Sequence, residues 1–173
     1  MRKIVGLTIL QPWASLIVAG PKRVENRTWA PSESQLRPGD YIAIHAGKKV
    51  DLAQWFGAWG VQGKGRLEGK LPLLDALDVL PRLADKRAQK ASELAYLESA
   101  CPYGAIVGVA RFDGIDRALR AETWPWYVGP CGWRLTNVVA IEPVPCRGAQ
   151  GLWTLPGDVL VAVRALYLAQ RTP

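Results

Sequence analysis

Histidine, methionine and phenylalanine are nearly absent from this chain of 173 residues, which holds one His, one Met and two Phe. A single imidazole with no paired cysteines excludes a structural zinc site, and neither the His-x-Glu nor the Cys-x-x-Cys of zinc deaminases occurs. Three cysteines, Cys101, Cys131 and Cys146, are too few and too scattered for a disulfide framework, so a reducing, cytoplasmic setting is expected. Clustered carboxylates suited to two-metal chemistry are missing, and no metal or cofactor is expected. No apolar run reaches the roughly 18 residues of a spanning helix, and the N-terminus lacks a charged-apolar-small leader pattern, which argues against membrane and secretory classes. The glycine-rich stretch Gly57 to Lys64 fails as a phosphate loop: its spacing is wrong and Gly65 stands where Ser or Thr should follow the lysine.

What the chain does have is tryptophan, apolar mass and positive charge. Hydrophobic residues make up 49%, enough for a real core in one domain. Net charge is +7, and residues 1–50 carry eight Lys/Arg against three Asp/Glu. Residues 61–100 are nearly balanced, with seven against six. A basic field concentrated in one region favours anionic partners, above all phosphate backbones, although it also serves solubility. Eight tryptophans beside basic residues suit stacking on a base, while most of them must fill the core. Nothing points to an obligate protein partner.

The stretch Gln11 to Trp29 organises the rest. Pro12 suits a helix start, Trp13 to Ala19 is apolar almost all round, and Gly20-Pro21 stops the helix. A helix of that composition is buried. Behind it comes Gly20-x-Lys22-x-x-Glu25-x-Arg27. If residues 23–29 are extended, a period of two puts Glu25, Arg27 and Trp29 on one face.

Strands are expected at Lys3–Leu10, at 23–29 and at Tyr41–Ala46, the last ending in a turn at Gly47-Lys48-Lys49. Two more are expected at Gly104–Ala110, running on to Ile115 with a bend at Gly114, and at Cys131–Ile141. Pro143 and Pro145 confine the next piece to an edge or loop, and Arg147–Trp153 is loop to short strand. Helical patterns cover Val50–Trp59, Leu71–Leu80, Leu83–Ser99 and Pro156–Ala169, the last with a stripe of Val159, Val163, Leu166 and Leu168. The fold class expected is therefore α+β: one domain over 1–173, a small, mostly antiparallel barrel of about six strands. Peripheral helices and a helical insertion at about 61–100 complete it.

Five motifs in order carry a family resemblance. Gln11-Pro12-Trp13, the glycine–lysine–glutamate–arginine signature, Ile44-His45-Ala46-Gly47-Lys48, Gly104-Ala105-Ile106-Val107-Gly108 and Cys131-Gly132-Trp133 resemble an ASCH domain, of the PUA-like superfamily of β-barrels. The resemblance implies an RNA- or nucleotide-binding pocket in a cleft beside the first helix, lined by the signature residues. Some similar proteins hydrolyse N4-acetylcytidine, and one acts as a metal-dependent ribonuclease.

Base reading needs stacking on the faces and hydrogen bonds at the edge. Glu25 can accept from an exocyclic amine, Arg27 can donate to carbonyl or phosphate oxygens, and Lys22 can neutralise a phosphate. Trp13, Trp126 and Trp133 are candidate stacking walls, and Gln11, His45, Lys48 and Arg147 complete the candidate ligand set. Each has a plain alternative: Glu25–Arg27 as a structural ion pair, Lys22 as a solvated helix-end cation, Trp13 as core, His45 as a hydrogen-bonded strand-end residue. Two functions remain open. One is a binding module for RNA or an unpaired or modified base. The other is an amidohydrolase in which Lys22 activates water or the nucleophile and Glu25 shuttles protons, although Glu25 stands where the acetylcytidine hydrolases carry threonine. A metal-dependent ribonuclease is a third, weaker reading.

Overall fold

A computed structural model of the protein describes residues 2–20, 22–51, 91, 95, 101–118, 126, 127 and 130–170. The elements run β1 (Ile4–Gln11), α1 (Trp13–Ala19), β2 (Val24–Arg27), β3 (Tyr41–Val50), β4 (Ala105–Asp116), β5 (Cys131–Pro145), β6 (Leu152–Trp153) and α2 (Gly157–Ala169). Of the helix expected at 50–59, Val50 instead ends β3 and Asp51 is outside any helix; residues 52–59, the stretch expected at 71–80 and most of the 61–100 insertion lie outside the described residues. Ala91 and Ala95 are described, helical and exposed.

Six strands form one sheet in the order β2-β5-β4-β3-β1-β6. Pairing is antiparallel throughout, except between β1 and β3. Alternation explains its two cores. Val5, Leu7 and Ile9 of β1, with Ile42, Ile44 and Ala46 of β3, point to the side covered by α1. Ile4 and Ala43 point to the other side, where Val159, Val163 and Tyr167 of α2 cover them. The stripe on α2 thus runs through Tyr167, while Leu168, expected to be part of it, is exposed.

The sheet is not closed by a ladder, so the expected barrel is an open sheet. It is nevertheless strongly curled. Strands β2 and β1 stand four places apart, which in a flat sheet is about 19 Å. Yet Nη2 of Arg27 on β2 donates to the carbonyl of Thr8 on β1 at 2.9 Å. A side chain spans the opening that backbone pairing leaves.

Two strands run further than the sequence suggests. Gly47-Lys48-Lys49 is no turn: β3 continues to Val50, which pairs with Gln11, and the Asp51 N–H donates to the Gln11 carbonyl at 2.7 Å. Glycine and two lysines read as punctuation, but a pairing partner in β1 overrides local propensity. Likewise β5 continues through Pro143 and Pro145, where Val144 pairs with Ile106 of β4. Beyond Arg134 its other side has no strand among the described residues, the edge that a proline needs. The bend expected in β4 is present as a register shift between Phe112 and Ile115.

Helix α1 is seated tightly on the sheet. A Cβ on Gly108 of β4 would lie 2.8 Å from Cγ2 of Val18 and 2.9 Å from the Val139 carbonyl, so only glycine admits the helix at this distance. Its C-terminal stop is Gly20 at φ 112°, a left-handed conformation that side chains disfavour. No helix among the described residues is long and apolar enough to cross a membrane.

Candidate functional site

Lys22 follows the stop of α1, and its N–H donates to the Leu16 carbonyl, which extends the terminal turn and brings the side chain inward. It is 3% exposed, so it is not a solvated helix-end cation. Nζ donates to the Val24 carbonyl and, at 2.9 Å, to Oε2 of Glu25. Glu25 is itself buried, and its Oε1 lies 3.0 Å from Nη2 of Arg27. The two-residue period of β2 places Glu25 and Arg27 on one face, as the spacing predicts, and residues 22, 25 and 27 form a continuous chain of charge. Two cations share one carboxylate, and both carboxylate oxygens are engaged. Arg27 remains 22% exposed at its side chain, and its buried Nε has no hydrogen-bond partner among the described residues. Arranged this way, the cluster is a net positive group held at the curl of the sheet.

Gln11, fully buried, fastens the neighbouring segments. Its Oε1 accepts from the Ser15 N–H and its Nε2 donates to the Pro102 carbonyl at 2.6 Å. This one amide therefore caps the first turn of α1, which has no cap from residue 12, and holds the approach to β4. Trp13 is half-buried and donates from Nε1 to Asp51 at 3.1 Å. Its ring meets Trp126 edge-on, with centroids 6.5 Å apart. Asn26, which faces away from Glu25 and Arg27 on β2, donates to the Trp126 carbonyl at 2.8 Å. Trp126 itself is 8% exposed. Trp133 is placed differently. It is fully buried, packed edge-on against Trp29 and Phe112 with its indole N–H on the Trp29 carbonyl, and it forms the floor under Glu25, its partner across the ladder. A stacking wall needs an open face, and Trp133 has none.

A model of the ASCH domain family matches residues 7–145, which span β1 to β5 and the lysine–glutamate–arginine chain. The chain belongs to the ASCH family. Among solved structures, an ASCH protein from Zymomonas mobilis is similar at 13% identity and a TM-score of 0.49, with 96% of each chain covered. Two mutant proteins of the same ASCH are similar at 14% identity and TM-scores of 0.48, covering 95% of this chain and 96% and 99% of theirs. No curated protein matches. Domains of this family are generally nucleic-acid-binding and PUA-like.

The remaining candidates of this ASCH domain are not gathered at the cluster. His45 lies within β3, not at a strand end, and points to the α2 side, away from α1. Its Nε2 lies 3.2 Å from the Cys146 carbonyl, its ring meets Trp153 edge-on, and Gly148 packs directly on it. Burial lowers its pKa, the bond to Cys146 opposes this, and Lys48 lowers it further. Lys48 and Arg147 are exposed at the far end of β3 and β5: Lys48 lies over Gly104, whose carbonyl accepts from the N–H of Cys146 beside Arg147. All three cysteines are free, and burial raises the thiol pKa of Cys101 and Cys146. Among the described residues no group of three or more His, Cys, Asp or Glu is placed to hold a metal ion.

Three contributors escaped the sequence reading: Thr8, Asn26 and Asp51. Thr8 contributes a carbonyl, which no side-chain pattern announces. Asn26 sits at the intervening position of the signature, where its opposite facing is its only signal. Asp51 became visible as a partner of Trp13 only once β3 was extended to Val50.

Proposed function

We propose that this ASCH domain binds RNA or a nucleotide and receives an unpaired or modified base beside α1, with exposed cations guiding the backbone. The observation that carries this reading is the Lys22–Glu25–Arg27 chain. It is a buried, net positive group anchored on both sides, with guanidinium hydrogens left over at a half-exposed side chain. A structural ion pair alone would not need a second cation, and an arginine with unfilled donors suits carbonyl or phosphate oxygens. Net charge of +7 and the exposed Lys48, Lys49 and Arg147 add an attractive field for polyanions.

Fluorescence anisotropy with a labelled single-stranded RNA tests the proposal. Arg27→Ala should weaken binding about tenfold or more, since charge-assisted hydrogen bonds contribute about 1.5–3 kcal/mol each. An affinity untouched by that change would reject the site.

An amidohydrolase acting on N4-acetylcytidine-type nucleosides is the alternative, favoured by one observation: Lys22 is desolvated beside a carboxylate at 2.9 Å. Against it, Glu25 spends both oxygens on cations and is poorly placed to shuttle a proton. Release of cytidine from N4-acetylcytidine, abolished in Lys22→Ala, would replace the binding proposal with this one.

A further inference from the structure

His45 sits under the loop 146–151 that joins β5 to β6, and the way it is held fixes which of its nitrogens carries the proton. It is buried and faces the α2 side beside Thr8, its partner across the β1–β3 ladder. Nε2 lies 3.2 Å from the Cys146 carbonyl. A carbonyl only accepts, so in the neutral ring Nε2 bears the hydrogen and Nδ1 is bare. Nδ1 is buried and has no hydrogen-bond partner among the described residues. Gly148 closes over it: a Cβ there would fall within 2.6 Å of Nδ1 and of the Thr8 hydroxyl oxygen. That hydroxyl donates to the Ala149 carbonyl at 2.9 Å, so the loop is fastened twice, at Cys146 by His45 and at Ala149 by Thr8.

A second proton on His45 would have to sit on Nδ1, against Gly148, where no acceptor among the described residues faces it. Neighbouring charge gives no help. Strands β1, β4 and β6 bring up Thr8, Ile106 and Trp153, none of them charged. Lys48 on β3 opposes protonation, Arg147 in the loop is a further cation, and Asp158 at the start of α2 bears on the Cys146 thiol, which burial keeps neutral. The closed loop therefore accepts only the neutral ring. We propose that His45 is a proton-operated latch: the neutral imidazole holds the 146–151 loop down on β1 and β3, and protonation releases the loop together with Arg147. The latch does not depend on RNA binding. In the open form the imidazole meets water and takes a proton at about its ordinary value of 6.5. Each pH unit below that favours opening about tenfold, until the closed form takes up the proton as well.

Nuclear magnetic resonance titration of the full chain tests the latch, because the chain's only imidazole gives one set of ring signals. Ring nitrogen shifts at neutral pH should show the Nε2–H tautomer. The His45 midpoint should lie below about 6.5, and the amide signals of Gly148 and Ala149 should move towards random-coil positions with that same midpoint. Thr8→Val removes the second fastening, and the methyl group of Gly148→Ala pushes the loop off the ring; each should raise the midpoint towards the free value. Where one variant does not fold, the other carries the comparison. An Nδ1–H tautomer, loop amides that keep their folded positions through the titration, or a midpoint unmoved in the folded variants would each overturn the latch.

Discussion

Glu25 is buried and holds two cations, the buried Lys22 and the partly exposed Arg27, and that makes it the most consequential single side chain of the domain. Glu25→Leu would leave Lys22 buried with only the Val24 carbonyl, and an uncompensated buried charge costs about 3–5 kcal/mol. Urea unfolding should show a loss of that order, and Lys22→Met added to Glu25→Leu should recover much of it by removing the stranded charge. A double variant as unstable as the single one would mean that the pair does not act as a unit. His45 offers a different readout because it is the chain's only imidazole. Its folded pKa is lowered by burial, so the unfolded chain binds the proton more readily. The stability due to neutral His45 is present above the unfolded value of about 6.5 and is lost as pH falls through the lower folded one. The urea midpoint should decline over that window in the wild type, and His45→Gln should flatten the decline; an identical slope in both would assign the effect to other groups. The sequence showed which residues carry charge at this site but not where that charge goes. Lys22 at a helix end reads equally as a solvated cation, and only the backbone bond to Leu16 turns it inward.

At the scale of elements, the short α1 matters because everything in the signature hangs from its C-terminal end. Its seat is Gly108, where a methyl group would meet both a valine side chain and a backbone carbonyl within 3 Å. The valine can shift, whereas the carbonyl belongs to the β4–β5 ladder and cannot move without breaking it. Gly108→Ala should therefore destabilise by about 1–3 kcal/mol, the usual cost of overpacking, measured as a drop in urea midpoint. An unchanged midpoint would mean that α1 can ride up on the sheet at little cost. Elements of strong period two, such as Ile42-Ala43-Ile44-His45 and the run from Ala105 to Ala110, were legible in sequence because both faces are buried and register is fixed by packing. The extensions were not. Local turn residues dominate a reading made along the chain, whereas the fates of Gly47 to Lys49 and of Pro143 to Pro145 were decided by partners far away in sequence.

For the molecule as a whole, charge separates into a buried part that holds the fold and an exposed part that is free to meet a polyanion. Lys22 belongs to the first kind, while Lys48, Lys49 and Arg147, brought to one end of the sheet by the overlong β3 and β5, belong to the second. Counterion release responds only to cations that touch phosphate. For single strands, log affinity falls with log salt with a slope of about −0.7 per phosphate neutralised. Three such contacts imply a slope of about −2, hence an affinity loss of about twentyfold between 50 and 200 mM salt. Replacing Lys48 and Arg147 together by alanine should reduce the slope by about 1.4 while leaving any preference among bases intact, because neither side chain makes a hydrogen bond or ion pair with Lys22, Glu25 or Arg27 among the described residues. Anisotropy titrations at four salt concentrations measure both quantities in one experiment. A slope unchanged in the double variant would place the backbone track elsewhere on the surface. A changed base preference would mean that the two ends of the sheet are coupled through Thr8, which gives its carbonyl to Arg27 and its hydroxyl proton to Ala149 beside the Arg147-Gly148 loop.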